Sequence, residues 1–554
     1  MHSLLGEILL LAILSLIYIF NPVAAQDGSI TIPLNSSITY DNREIYGGFI
    51  TMNGISRVTI KFIDVNKNLT FIVFQAHSHI NNISLYTSDK TQGEKNATGT
   101  NVGLVSSVNP INTFIVSNSN NNITVRAYIS VHGYFKMDPI PGGCNMEYPI
   151  PVTPFLNVMT YTDYIFVDAA PPSVDPGCLN TLQANMSFYM MYLPEMNFYA
   201  DVYFDGIRKM MSLKNIMKYG YRIPKSSWPE TRRMLSAYPG TGAIYTVVAT
   251  RVDNASLYSV YVPSYSYGCN DINDDGCEMI DDWLSQLLCA TLMFVGVFIC
   301  FFGHRFFKTE MFFAGFFTGV IITYILIALI TVVDKPALLA AASISGVFFG
   351  GIWWLFWWLY GIPVLSVLLP SLNLGFLLAS IFYYRLPGHQ LFLELDFNFW
   401  SLFVLVVMLT ALAVVSVSYA ANILCCAVIG AFASVLAMDY YLGSNLKFII
   451  INVIRRAVVP HFNKAILAPP LDWKDISMAL VWVILASLGF FFQHWHNRGR
   501  PPFPPPTRLV RPSVAEPTMY GAIPNYFRRP EQQTGLGVGT PVARVQNERT
   551  SLLS

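Results

Sequence analysis

Seven apolar runs, at 283–302, 311–333, 337–356, 364–383, 399–419, 422–438 and 476–495, carry almost no charge. Most are about twenty residues long, enough to cross roughly 30 Å of hydrocarbon as helices. A soluble core has no need of seven consecutive segments of that length, so the spacing predicts a seven-pass helical bundle over 281–496. The shorter apolar run at 446–454 stops at Arg455 and Arg456 and reads as an interfacial or re-entrant piece.

The chain has 554 residues, 53% hydrophobic and only 12% charged, which leaves room for soluble modules ahead of the bundle. A net charge of +1 gives no reason to expect nucleic acid. Residues 1–25 have an apolar core and end on Val23 and Ala25, small residues at the −3 and −1 positions of a signal-peptide cut before Gln26.

From 26 to 280 the composition turns polar and β-rich. Asn-x-Ser/Thr sequons fall at Asn35, Asn68, Asn82, Asn96, Asn122, Asn185 and Asn254, and none follows. Confinement of all seven to one segment predicts a glycosylated ectodomain. Cys144, Cys178, Cys269 and Cys277 share that segment and suit disulfides. Three pairings are possible, and proximity in sequence favours Cys144 with Cys178 and Cys269 with Cys277. The remaining four cysteines lie in apolar runs and read as free thiols.

Alternating apolar residues at 57–63 and 123–131 predict half-buried strands. The turn-rich Asp138-Pro-Ile-Pro-Gly-Gly-Cys144 then marks a hinge. Strand-like runs resume at 197–204, 243–252 and 257–262, around a helical patch near 207–218. The expected fold is therefore multi-domain: tandem β-sandwich-like modules at 26–137 and 138–280, the seven-pass bundle, and a disordered tail at 497–554. One larger β domain is the alternative for the ectodomain.

An acidic stretch precedes the first run. Asp271, Asn273, Asp275 and Asp282 occupy oxygen-ligand positions one, three, five and twelve of a calcium loop, with Gly276 at six. Glu278 at the usually apolar eighth position, and the absence of a preceding amphipathic helix, favour a solvated acidic linker instead.

The signal peptide and sequons place the amino terminus outside, so seven crossings leave the tail in the cytosol. Arg498, Arg500, Arg508 and Arg511 after the last run agree with the positive-inside tendency, as do Arg305 and Lys308 in the first turn. Arg455, Arg456, Lys464 and Lys474 disagree: either the topology near Leu446 is more complex, or an amphipathic helix lies flat there with its bases at the headgroups. The centres of the runs carry no Asp, Glu, Lys or Arg, unlike transporters and pumps. They carry small residues at packing spacing, Gly315 with Gly319 and Gly346 with Gly350, and a belt-like cluster at Trp353, Trp354, Trp357 and Trp358. The third run lacks an Asp-Arg-Tyr-like ending and the seventh lacks Asn-Pro-x-x-Tyr, which argues against a G-protein-coupled receptor.

No hydrolase elbow, zinc-protease or phosphate-loop motif is present, and His77, His79, His494 and His496 read as surface or interfacial histidines. The sequence implies no enzyme, no cofactor and no metal beyond the calcium-like loop. In the tail, Glu548 with Leu552 and Leu553 has the acidic-dileucine form read by clathrin adaptors, and Tyr520 with Ile523 the tyrosine-x-x-bulky form. They point to endolysosomal delivery, against the plasma membrane without them. The Pro-rich 501–506 is a stiff linker or a polyproline-II ligand.

Asp138-Pro-Ile-Pro-Gly-Gly-Cys-Asn145, Cys300-Phe-Phe-Gly-His-Arg-Phe-Phe-Lys-Thr-Glu310, Arg498-Gly-Arg-Pro-Pro-Phe-Pro-Pro505 and Glu548-Arg-Thr-Ser-Leu-Leu553 resemble the corresponding stretches of the transmembrane 7 superfamily member 3 family. The resemblance implies a multi-pass glycoprotein linked to cell survival and restraint of endoplasmic-reticulum stress. It supplies no catalytic or ligand-binding residues. Two function classes remain. One is a receptor-like or scaffolding protein with an extracellular or lumenal ligand; the other is a channel or carrier for lipid or another hydrophobic molecule. A polar-lined, ligand-sized cavity would favour the second and a dry bundle the first.

Overall fold

In the computed structural model, the structure describes residues 28–35, 38–39, 42–87, 96–108, 113–144, 155–174, 184–269, 277, 283–386 and 391–503, with the backbone of 23–25. The signal-peptide core, the calcium-like positions 271, 273, 275 and 282, Cys178 and both sorting motifs lie outside the described residues. So does the whole of Thr507–Ser554, a unit separate from Met1–Pro506.

The first module is a sandwich of two five-stranded sheets. One holds β1 (Val23–Ala25), β3 (Glu44–Met52), β10 (Val125–Tyr134), β5 (Phe71–Ser78) and β8 (Asn101–Ser107), in that order. The other holds β2 (Ser29–Pro33), β4 (Ser56–Ile63), β9 (Phe114–Asn118), β6 (Ile83–Thr87) and β7 (Asn96–Gly99). The predicted alternation is visible in β4, where Val58 and Ile60 are buried and Arg57 and Lys61 exposed. By contrast β5 and most of β10 are buried throughout, because their second face is covered by the next module.

That second module has a three-stranded sheet of β11 (Leu156–Thr160), β12 (Tyr164–Ala169) and β15 (Arg232–Ser236). Its other sheet runs β14 (Tyr221–Arg222), β13 (Ala184–Tyr192), β16 (Ala243–Arg251) and β17 (Tyr258–Val260), with β18 (Ser264–Ser266) also on β16. Between β13 and β14 lie α1 (Ala200–Lys209) and α2 (Leu213–Tyr219). The strand expected at 197–204 is thus corrected to the start of α1. Tyr203, Phe204 and Ile207 recur at helical spacing and are all buried, which outweighs their β propensity.

Among the described residues six helical stretches are long and apolar enough to cross a membrane, and the first, Trp283–Ile330, has 48 residues. As one rod it would be about 72 Å long, more than twice the hydrocarbon thickness. It breaks at the 3-10 turn Gly303–Phe306 into α3 (Trp283–Phe302) and α4 (Phe307–Ile330). The others are α5 (Lys335–Tyr360), α6 (Pro363–Arg385), α8 (Asp396–Val415), α9 (Ser418–Leu442) and α11 (Trp473–His496), with short α7 (Leu391–Glu394) and α10 (Phe448–Val458) between them.

Contacts fix the directions. Cys289 of α3 donates to the Ala437 carbonyl, while Gly303 just beyond α3 abuts Cys426, so α3 and α9 are antiparallel. Thr318 bonds Asn373, and Phe307 packs near Val367, so α4 runs parallel to α6. Ser371 meets Cys425 and Tyr384 meets Asn445, so α6 runs parallel to α9 and α4 is antiparallel to α3. Among the described residues seven crossings result. The expected fifth run ended at Tyr419, but α8 stops at Val415 and Tyr419 belongs to α9.

Glycines set the closest approach. A Cβ on Gly315 would lie 2.7 Å from the Phe349 carbonyl oxygen, and one on Gly350 2.6 Å from that of Phe312, so α4 and α5 touch backbone to backbone. The belt reading of the tryptophans needs correction at one position: Trp357 is wholly buried against Phe307, whereas Trp354 is exposed.

Candidate functional site at the junction of sandwich and bundle

The run at 446–454 folds as α10, an amphipathic helix whose Asn452, Arg455 and Arg456 sit three and four residues apart on one face. That face does not meet headgroups, as the flat-helix reading expected; it meets the second sandwich. Arg455 Nε donates to Asp163 at 3.0 Å, and its Nη1 donates to the Ala237 carbonyl at 2.7 Å and to Ser236 Oγ at 3.2 Å. Ser236 in turn donates to Asn452 Oδ1 at 2.9 Å. Arg456 pairs with Asp396 at 2.9 Å and donates to the Leu393 carbonyl. Both arginines are buried, where each lost partner would leave a charge uncompensated.

Backbone joins the same surface. Ile466 N–H donates to the Met234 carbonyl and Ser236 N–H to the Ile466 carbonyl, a parallel bridge that lays 466 along the edge of β15. Tyr192 OH donates to the Ala468 carbonyl at 2.6 Å. A free sheet edge is thereby covered by the bundle's own chain.

A second cluster closes the junction. Glu195, in the loop after β13, accepts from Asn445 Nδ2 and shares a hydrogen bond with the Asp475 carboxyl. Asp475 completes the capping box of α11, whose N-cap is Asp472, and accepts from Asn445 N–H at 2.7 Å. Asp439 accepts from Ser444 and from Lys447 N–H. Burial, then the neighbouring Asp475, pushes the Glu195 carboxyl up to about 8.

These contacts account for the four bases that contradicted the topology. Arg455 and Arg456 are paired as above, Lys464 lies 5.0 Å over the Trp228 ring, and Lys474 acts on Glu195. All four are engaged by protein. At the opposite end Arg305, Arg498 and Arg500 are exposed.

A polar node also closes that opposite end. His304 and Glu310 lie in the stretch of the first turn that also carries Arg305 and Lys308, and both are buried. Asn422 Nδ2 reaches His304 Nδ1 at 3.0 Å and Glu310 Oε2 at 2.7 Å, and Gln493 Oε1 accepts from His304 N–H at 3.0 Å. Asn422 and Gln493 were the readable signal, since an amide inside an apolar run seeks a partner on another helix.

His77 of the first module is corrected likewise. His77 is wholly buried, with ring nitrogens against Asn101 Oδ1 at 2.7 Å and Gln75 Oε1 at 3.2 Å; Tyr203 of the second module donates to the same Asn101 oxygen. Burial pushes the His77 imidazole down to about 4, and lowers His132 as well.

Cys269 and Cys277 are joined, and Cys144 is also disulfide-bonded. The other four described cysteines are free and buried. All seven sequon asparagines are exposed. Among the described residues no trio of His, Cys, Asp or Glu is placed to hold a metal.

Residues 289–494 match a TM7S3/TM198-like domain, 49–134 a TM7SF3-like N-terminal immunoglobulin-like domain, and 139–272 the second immunoglobulin-like domain of the same kind. Transmembrane 7 superfamily member 3 of Homo sapiens is 30% identical over 468 residues, covering 80% of each chain. The Rattus norvegicus and Mus musculus proteins of that name are each 29% identical, over 80% of this chain and 81% of theirs.

Proposed function

This chain belongs to the transmembrane 7 superfamily member 3 family of multi-pass membrane proteins, and on that premise we propose that it is a receptor-like or scaffolding glycoprotein. Its immunoglobulin-like modules face the outside or the lumen, take up a partner there, and pass the event to the helices; its service is to cell survival and restraint of endoplasmic-reticulum stress. The observation that carries the reading is the Arg455 clasp. A buried guanidinium held by Asp163, Ser236 and Ala237 fastens an ectodomain sheet to the bundle, so movement of one is felt by the other.

Supporting the orientation, all seven sequon asparagines are exposed, and Arg305, Arg498 and Arg500 are exposed together at the tail end. The tail motifs ending in Leu552–Leu553 and at Ile523 would bring clathrin adaptors and endolysosomal delivery. A carboxyl-terminal tag imaged against lysosomal and surface markers tests this. Lysosomal signal that moves to the surface when Leu552 and Leu553 become Ala supports the sorted-receptor reading; signal indifferent to the change contradicts the sorting part.

One observation favours the carrier reading as the second choice. Between α6 and α8 a shallow cleft enclosing only about 20 Å³ is walled by Ala379, Tyr383, Phe399 and Phe403, with the exposed Phe382 at its edge, a lining of the kind a hydrocarbon chain meets. Its walls are almost wholly apolar, without the convergent polar groups of a specific ligand site.

A further inference from the structure

Between Gly206 and Pro229 the chain carries six Lys or Arg and no Asp or Glu, whereas the whole sequence balances 34 bases against 33 acids. That stretch runs through the end of α1, all of α2 and the edge strand β14. Four of its cations gather round one exposed ring. Lys209 Nζ lies 5.2 Å and Lys218 Nζ 4.7 Å from the centre of Tyr219. Lys214 stands one turn before Lys218 on the same face of α2. Arg222 is opposite Tyr189 in the register of β14 with β13, and the Tyr189 hydroxyl donates to Met217 Sδ of α2, which brings the strand's cation beside the helix.

Little in the chain neutralises this group. Asp205 pairs with Lys209, while Lys214, Lys218 and Arg222 have no acidic partner among the described residues. Met217, Tyr219 and Tyr221 are exposed among them, at 66%, 42% and 46%. The position excludes the chain's own bilayer as the anion they meet. β13 and β16 turn one face to α1 and α2 and the other to the sheet of β11, β12 and β15, whose far side packs Met234 against the bundle. Two sheets, roughly 20 Å, separate the cations from the helices, more than twice the screening length of physiological salt.

Three of the four cations are lysines. Protein interfaces are depleted in Lys, whose strongly hydrated ammonium sits on a flexible stem; such point charges follow anions whose positions vary along a chain. The exposed Tyr rings add flat apolar faces of the kind a sugar ring stacks on.

We propose that α2 and β14 bind a sulfated polysaccharide, its sulfates on Lys214, Lys218 and Arg222 and a sugar ring against Tyr219. Access to extracellular polysaccharide rests on the receptor-like orientation above, whereas binding by the purified chain does not, so the two can fail separately.

The test passes the full chain, in phosphatidylcholine nanodiscs, over immobilised heparin at a series of sodium chloride concentrations. Retention at about 0.15 M salt is expected, with log affinity falling linearly against log salt as counterions leave the polyanion. Lys214→Ala combined with Lys218→Ala, both exposed, weakens binding roughly tenfold and lowers that slope by about two. Lys61→Ala combined with Lys67→Ala removes the same charge from exposed positions of the first module and leaves affinity unchanged. Desulfated heparin is not retained. Failure of the wild type to bind, or an equal loss in the two double variants, overturns the proposal. Displacement of heparin by an equal charge of poly-glutamate also overturns it, and assigns the patch to an acidic protein.

Discussion

Arg455 is the side chain on which the junction rests. Arg455→Ala leaves Asp163, Ser236 and the Ala237 carbonyl without their donor, and is expected to destabilise the full chain by about 3 kcal/mol, the scale for breaking a buried pair. Denaturant unfolding in nanodiscs measures it, and a loss below about 1 kcal/mol would reduce the clasp to a surface ion pair. Glu195 gives the junction a pH dependence of known sign. Its folded pKa, about 8, lies above the ordinary 4.5, so its contribution is complete below 4.5 and is lost as pH rises through 8. Between pH 6 and 9 the wild-type Tm should fall more steeply than that of Glu195→Gln. Parallel curves would mean that the Glu195 carboxyl is not raised by its burial. His77 acts in the other direction. With a folded pKa of about 4 against 6.5, its neutral form stabilises the module interface above pH 6.5, and that contribution is lost as pH falls toward 4. Hydrogen exchange of β5 and α1 should rise across that window in wild type, and less in His77→Gln. Glu44 beside His132, and Tyr128 and Tyr203 across the interface, are the other titratable groups facing this network.

At the level of elements, the membrane runs were legible because each must satisfy its backbone internally and so is written as a long apolar stretch. Gly315 and Gly350 were legible too, as small residues at packing spacing. Gly350→Val is expected to force α4 and α5 apart and abolish a monodisperse folded protein in detergent, since its Cβ would meet the Phe312 backbone at 2.6 Å. Recovery of a normal size-exclusion peak would refute the backbone contact. What was not legible is whatever depends on a second element. The strand reading of 197–204 failed because Tyr203 and Phe204 were counted for β propensity, while the burial that selects helix comes from Phe49 and Tyr128 of the other module. Arg455 and Arg456 looked like headgroup anchors because nothing in their own sequence names Asp163, almost three hundred residues earlier, as the partner. His304 and Glu310 sat among charged neighbours in a turn, and their burial is decided by Asn422 and Gln493 on distant helices.

Across the whole molecule, the two immunoglobulin-like modules share the buried His77 network, the second module is clasped to the bundle, and α9 runs from Asp439 at the junction to Asn422 at the tail-end node. Helices packed this closely shift as units, so strain at one end has a rigid path to the other. The direct test is hydrogen–deuterium exchange of the full chain in nanodiscs, wild type against Asp163→Asn, a change confined to the ectodomain side of the clasp. The predicted result is faster exchange at 232–236 and 448–458, accompanied by faster exchange in the turn 303–310 at the far end of the bundle. Faster exchange at the junction alone, with 303–310 unchanged, would show that the ectodomain and the helices are joined but not coupled, and would contradict the receptor-like account.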